Sequence, residues 1–243
     1  MPKLPKWMAD AMQSLFSGMY HPVKVTEIKD IASRLRKVRF EGDFSKLKKE
    51  FVPGNVIEFR INDTEFRHYT PSYFNRKENI CEVVFFLHDK GPGSKWVAQL
   101  NIGDELNLLG PGGKIKYNPA FNTHIVFGDE TSLGAFLCFK KETEKQGTDF
   151  LGIAELDKEN KHWGDLLALD IFAVSKTENE KGAEAILKLE ALLKQHQNSS
   201  KTAFYLTGNA KSILRVKQFL LGKGYTSKQI QTEPYWVEGK YGL

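Results

Sequence analysis

The stretch Arg67-His68-Tyr69-Thr70 lies between strand-like runs and is polar where such a strand should be bland. Side chains alternate along an extended chain, so Arg67 and Tyr69 share one side and His68 and Thr70 the other. Together they offer a guanidinium fork for phosphate, an aromatic face, and a hydroxyl able to bond a ring heteroatom. Farther along, His88-Asp89-Lys90-Gly91-Pro92-Gly93-Ser94-Lys95-Trp96 answers it. Gly91 and Gly93 supply backbone that a ligand can approach closely. Ser94 reads as the N-cap of a short helix over residues 95–100, whose free N–H groups would face an anion. Two anion-friendly elements and an aromatic in one half of the chain point to a bulky phosphorylated cofactor.

The surroundings of these stretches set the fold class. Strand-like runs at 23–27, 35–40, 56–61, 66–74, 80–87 and 105–109 are bounded by Gly, Asn, Asp or Pro. With one short helix they predict a closed antiparallel barrel. From His124 the rhythm changes. Strands at 125–127, 150–154, 171–174, 203–206 and 230–237 alternate with helical patterns at 131–145, 183–196 and 210–221. That alternation predicts a parallel sheet with helices on both faces. The expected class is therefore α+β with two domains, an antiparallel β-barrel followed by an α/β parallel-sheet domain. The boundary is expected near 117–121, where Pro119 punctuates, giving a helical segment over 1–20, a barrel over 21–119 and an α/β domain over 120–243. Leu4, Trp7, Met8, Ala11, Leu15 and Phe16 recur at helical spacing and predict an amphipathic helix packed on the fold, with membrane-surface binding as the other reading. Asp10 and Gln13 interrupt any signal-peptide core.

Composition narrows the function classes. Of 243 residues, 41% are hydrophobic, enough for a sizeable core. No run of eighteen apolar residues exists, so no membrane insertion is expected. Cys81 and Cys138 are far apart and no Cys-x-x-Cys exists, so no thiolate-held metal site is expected. Two buried reduced thiols fit a cytoplasmic protein. The net charge is +5, and all of it falls after residue 200, where seven basic residues (Lys201, Lys211, Arg215, Lys217, Lys223, Lys228, Lys240) meet two acids (Glu233, Glu238). That tail is either a solvated surface or an electropositive rim for an anionic ligand. It alone would favour nucleic acid, and no recognition motif supports such a partner.

Arg67-x-Tyr69-Thr70 followed by His88-x-x-Gly91-Pro92-x-Ser94-x-Trp96 resembles the FAD-binding domain of the siderophore-interacting proteins, flavin-dependent ferric-siderophore reductases among the ferredoxin-reductase-like flavoproteins. The resemblance continues through Gly110-Pro111-Gly112-Gly113, Gly128-Asp129-Glu130-Thr131, Leu206-Thr207-Gly208 and Tyr235-Trp236, and so spans roughly residues 21–239. It implies an FAD-binding barrel and an NAD(P)H-binding α/β domain. It implies that Arg67 holds the FAD diphosphate, that Tyr69 stacks on the isoalloxazine and that Thr70 bonds its edge near N5; His68 is counted in the same set. It puts His88 beside the flavin or adenine, and Gly91, Gly93, Ser94, Lys95 and Trp96 around the diphosphate, although Trp96 reads equally as core. Gly91-Pro92-Gly93 is not the Gly-x-Gly-x-x-Gly fingerprint.

Gly110-Pro111-Gly112-Gly113 reads as a tight turn out of a strand. Asp129-Glu130-Thr131-Ser132 suits plain helix capping. At the carboxyl end of a first parallel strand the same residues face a ligand crevice, and the resemblance puts Thr131 beside both flavin and nicotinamide. Gly208 and Asn209 repeat the pattern and are counted with NAD(P)H, although the family commonly has Gly-Glu there. Lys176 follows the 171–174 strand, where a 2′-phosphate could be met; with no arginine beside it, NADH and NADPH both stay open. Lys211, Lys228, Lys240 and Trp236 are the candidates for contact with the ferric siderophore, although the family usually has a basic residue after the tryptophan and Val237-Glu238 stands here. The implied activity passes electrons from NADH or NADPH through FAD to Fe(III) in an anionic chelate, with iron as substrate. The alternatives are a general flavin or diaphorase-type reductase, and an FAD enzyme fed by ferredoxin.

Overall fold

The computed structural model describes residues 5–15, 20–177, 179–195 and 199–239. The chain divides into two units, the first ending at Gly113 and the second running from Lys114 to Gly239.

The first unit contains α1 (Lys6–Leu15), β1 (Tyr20–Ala32), β2 (Leu35–Glu41), β3 (Val56–Asn62), β4 (Glu65–Tyr69), β5 (Tyr73–Asn75), β6 (Ile80–Phe86), α2 (Pro92–Gln99) and β7 (Glu105–Gly112). Seven strands pair antiparallel in the order β4-β3-β7-β1-β2-β6-β5, so the edge strands β4 and β5 are consecutive in the chain. Alternation sends Val23 and Val25, Val38 and Phe40, Ile57 and Phe59, and Val83 and Phe85 into one core. Each such fully buried side chain contributes about 1.5–3 kcal/mol. Two expectations need correction. The run over 66–74 is two strands, because Pro71 cannot donate to a ladder and biases Thr70 away from regular pairing. Gly110-Pro111 does not turn out of its strand; it stays in β7, where a register shift against Val56 and Glu58 accommodates a residue with no N–H.

The helix predicted at the start is present as α1, but Trp7 is 69% exposed and Ala11 is exposed, so these two members of the stripe are not packed away. Ion pairs attach the helix instead, Lys6 to Asp63 at 2.9 Å and Asp10 to Arg60 at 2.7 Å. Pairs this exposed are screened by solvent and add little to stability. Leu4 and Phe16 lie outside the described residues.

The second unit contains β8 (Thr123–Asp129), α3 (Leu133–Gln146), β9 (Asp149–Leu156), α4 (Trp163–Leu166), β10 (Ile171–Ser175), α5 (Ala183–Gln195), β11 (Thr202–Asn209), α6 (Ala210–Gly222) and β12 (Ile230–Trp236). All strands run parallel in the order β10-β9-β8-β11-β12. Every residue of β8 and β11 is buried, as expected of central strands covered on both faces. The order reverses between β8 and β11, and in such sheets the ligand crevice lies at the carboxyl ends of the strands there. At the opposite, amino end of β8, His124 is fully buried. Its Nδ1 meets the Tyr205 hydroxyl and its Nε2 the Phe121 carbonyl, each at 3.1 Å, while its ring stacks on Tyr117. Among the described residues, no helix is long and apolar enough to cross a membrane.

Candidate cofactor sites

In the first unit, β4 presents Arg67 and Tyr69 to the barrel interior, opposite Phe59 and Ile57 on β3. Arg67 is held by its own neighbours: one terminal nitrogen donates to the Phe66 carbonyl at 2.8 Å and the other to Glu65 Oε1 at 3.0 Å. Glu65 is buried and also accepts from Asn62 Nδ2 at 2.7 Å. The fork is therefore fixed in direction before any ligand arrives. Tyr69 packs edge-on to Phe85 and stacks on Trp96 at 6.2 Å, so Trp96 is both core and wall of the site. Burial pushes the Tyr69 hydroxyl above its ordinary range, against a smaller opposing effect of Arg67.

The two polar stretches of the sequence meet at Gly93. A Cβ on Gly93 would lie 2.7 Å from Tyr69 Oη and 3.4 Å from Arg67 Cγ. Only glycine lets the first turn of α2 come this close to both side chains. The helix starts three residues earlier than expected, because Pro92 fits the first helical position and needs no N–H partner, which makes Gly91 the N-cap. Ser94 consequently caps nothing. Its buried hydroxyl accepts the Asp89 N–H at 3.1 Å and pins the preceding loop. In that loop His88 Nδ1 accepts the Lys90 N–H at 3.2 Å, and burial lowers the His88 pKa, which favours the neutral ring. Thr70 is buried at the end of β4, and Lys95 is exposed on α2. His68 points the other way. It pairs with buried Glu58 at 2.7 Å on the outer face of the barrel, so the structure does not bring it to Arg67 and Tyr69. Fork, aromatic wall and glycine-cradled helix start fit a flavin dinucleotide: cation and N–H groups for a diphosphate, ring faces for a planar heterocycle.

In the second unit the carboxyl ends of the strands carry a connected polar network. Asp129 caps the turn after β8 in a box with Ser132, and its carboxylate also accepts from Thr131 and, at 2.7 Å, from Trp236 Nε1. Gly208, at φ 91°, passes so close that a Cβ would sit 2.6 Å from Asp129 Oδ2. Burial and the neighbouring Glu130 raise the Asp129 pKa, and the donors Thr131 and Trp236 oppose them. Glu130 is buried and accepts from Asp157 N, Asn160 Nδ2 and Lys176 Nζ. Burial lowers the Lys176 pKa, but attraction to Glu130 outweighs it and the group ends raised. Asn209 caps α6, accepting from Lys211 N at 2.8 Å and Ser212 N at 3.2 Å, which gives its departure from glutamate a structural use.

Thr131, Gly208, Asn209 and Trp236 are thus gathered on one edge of this sheet. The candidates for siderophore contact are not all gathered with them. Lys211 follows Asn209 but is paired with Glu238 at 3.2 Å. Lys228 precedes β12, whose seven residues at about 3.3 Å each put it more than roughly 20 Å from the Trp236 end. Lys240 lies outside the described residues. Sequence reading missed Asp129 as the acceptor for Trp236, and Glu130 as the acceptor that joins Asp157 to Lys176; the one signal was two acids directly after an apolar strand.

An antiparallel barrel carrying the first site, followed by a parallel sheet carrying the second, defines a two-domain ferredoxin-reductase-like flavoprotein. Residues 58–115 match the siderophore-interacting FAD-binding domain and residues 121–239 match the siderophore-interacting protein family, so the chain belongs to the siderophore-interacting proteins. It is 24% identical to the ferric vibriobactin reductase ViuB of Vibrio cholerae over 72% of the chain, spanning 65% of that relative's length. It is 25% identical to the NADPH-dependent ferric-chelate reductase of Escherichia coli, over 79% of the chain and 76% of the relative. A solved siderophore-interacting protein from Acinetobacter baumannii shares the fold, with TM-score 0.72 and 18% identity over 90% of this chain and 91% of that one.

Proposed function

We propose that the chain is an FAD-dependent reductase that draws electrons from NADH or NADPH and delivers them to ferric iron in an anionic siderophore. The observation that carries this reading is the meeting of Arg67, Tyr69 and the start of α2 at Gly93. Arg67, already aligned by Glu65 and the Phe66 carbonyl, holds the diphosphate together with the first-turn N–H groups of α2. Tyr69 and Trp96 wall the isoalloxazine, Thr70 meets its edge, and His88 stays neutral beside it. When bound, FAD supplies the redox chemistry, accepting two electrons from the nucleotide and yielding single electrons to Fe(III), which as Fe(II) binds hard oxygen ligands less tightly. Thr131, Gly208 and Asn209 form the nucleotide crevice at the carboxyl ends of β8 and β11. Lys211, on the same edge as Trp236, is the described member of the basic tail best sited to attract an anionic chelate. No side chain is required as an acid, a base or a metal ligand. The two relatives, named for ferric vibriobactin reduction and NADPH-dependent ferric-chelate reduction, support the substrate class. A cytoplasmic location suits a chain with two buried free thiols.

The donor half of the proposal is tested by anaerobic titration of the FAD-loaded protein. NADH or NADPH should bleach the flavin absorbance. Bleaching by reduced ferredoxin and by neither nucleotide would move the donor assignment to ferredoxin. A purified chain that takes up no FAD would end the proposal altogether.

A further inference from the structure

Lys176, just past β10, sits between two carboxylates. Its ammonium contacts Glu130 Oε2, and Asp157 Oδ1 lies 3.2 Å away. Glu130 stands at the end of β8, and its side chain is 1% exposed. It also accepts the Asp157 N–H at 2.7 Å and Asn160 Nδ2 at 3.0 Å. One cation thus ties the carboxyl ends of β8, β9 and β10. Two carboxylates and one ammonium sum to a formal charge of −1. Around them Lys158 and Lys161 stand against three further carboxylates, Glu155, Glu159 and Glu184. Glu155, within β9, is buried and holds Gly182 N–H at 2.8 Å. Lys161 donates to Ser175 Oγ at 2.7 Å, Ser175 N–H goes to Glu184, and exposed Lys158 is followed by Glu159.

In doubly wound dinucleotide folds an acid past the first strand accepts from the adenosine 2′-hydroxyl, whereas a cation accommodates a 2′-phosphate. Lys176 has the position for the second role, but its charge is already directed at two carboxylates. A 2′-phosphate brings about −1.5 to −2 charge at pH 7. To be met, it would have to draw Lys176 from a carboxylate with almost no solvent, which leaves that charge buried and uncompensated. A 2′-hydroxyl needs only an acceptor, and the Asp157 side chain, 39% exposed, is open to one.

We propose that this chain selects the dinucleotide that carries a 2′-hydroxyl, NADH over NADPH. Asp157 reads the hydroxyl, and Glu130 withholds the Lys176 ammonium that a 2′-phosphate would need. This rests on the pyridine-nucleotide reading above.

The test compares ADP-ribose with 2′-phospho-ADP-ribose, fragments that report adenosine recognition without turnover, by calorimetric titration of the full-length, FAD-loaded protein. ADP-ribose should bind at least about tenfold more tightly. Asp157→Asn should shrink that ratio, weakening ADP-ribose and strengthening the phosphorylated fragment. Glu130→Gln, with an unchanged melting midpoint as its control for folding, should strengthen the phosphorylated fragment by freeing Lys176. Equal or tighter binding of 2′-phospho-ADP-ribose by the parent protein overturns the proposal, as does a ratio unmoved by Asp157→Asn. If neither fragment binds and neither NADH nor NADPH bleaches the flavin, the nucleotide reading itself falls and this inference with it. Preferential bleaching by NADPH overturns the selectivity alone.

Discussion

Replacing Gly93 by alanine tests the junction of the two polar stretches with a single methyl group. The new Cβ would lie 2.7 Å from Tyr69 Oη, against about 3.4 Å for an ordinary contact, an overlap of 3.4 − 2.7 = 0.7 Å. Its distance to Arg67 Cγ, 3.4 Å, is already ordinary, so the strain falls on Tyr69. The tyrosine ring cannot retreat freely, with Phe85 edge-on at 4.7 Å and Trp96 stacked at 6.2 Å. Overpacking of this kind costs roughly 1–3 kcal/mol. Relief comes most readily by moving the start of α2 outward, which lengthens its N–H contacts to a diphosphate. Losing one charge-assisted hydrogen bond costs about 1.5–3 kcal/mol, which corresponds to FAD binding weakened roughly tenfold to a hundredfold. The assay is titration of apoprotein with FAD, followed by quenching of flavin fluorescence, alongside a thermal melt. Gly222→Ala, where a Cβ meets nothing within 4 Å, serves as the control and should leave FAD affinity unchanged. FAD affinity in Gly93→Ala within about twofold of the parent would refute the close approach of α2 to Tyr69 as a determinant of the site.

Two further outcomes concern the second unit. Trp236→Phe keeps most of the apolar area but removes the 2.7 Å donor to Asp129, which is 3% exposed; denaturant unfolding should show a loss of about 2 kcal/mol, and an unchanged midpoint would mean that the bond contributes nothing. Burial lowers the His124 pKa below its ordinary 6.5, so as pH falls through about 6.5 the unfolded chain takes up a proton that the native ring resists. Stability is therefore full above that pH and declines below it, and His124→Gln should flatten this acid limb relative to the parent in pH-dependent melts. Parallel pH profiles for the two proteins would contradict the assignment. The buried carboxyls Asp129 and Glu155, both raised by burial, act in the opposite sense and are common to both proteins.

The strands were legible because alternation and β-branched runs mark them, and the switch at His124 from short strands to strand–helix alternation announced the parallel sheet. What misled was local competition between signals. Ser94 looks like a cap, but Pro92 is the better first helical residue and moves the helix start to it. Gly110-Pro111 looks like a turn, but the strand continues through a bulge. In the first site, residue types and the family resemblance pointed to Arg67, Tyr69 and the Gly91–Ser94 segment; the Gly93–Tyr69 contact that joins them is tertiary. His68 adjoins Arg67 and Tyr69 in sequence, yet strand alternation turns it to Glu58. In the second site the ion pair of Glu130 with Lys176 joins residues 46 apart, and no local pattern encodes which strand ends will be adjacent. Lys228 shows the converse: close in sequence to Trp236, it stands at the other end of the same strand.

The most direct measurement follows the electrons to iron. Anaerobic FAD-loaded protein, reduced just to completion, is mixed with a ferric siderophore in the presence of a ferrous-specific chelator. Flavin absorbance should return as Fe(II) appears, with two Fe(II) formed for each flavin reoxidised, as a two-electron carrier and a one-electron acceptor require. A flavin that stays reduced in front of the ferric chelate, yet reoxidises promptly with a general dye, would contradict the assignment and leave the chain a flavin reductase with no ferric substrate.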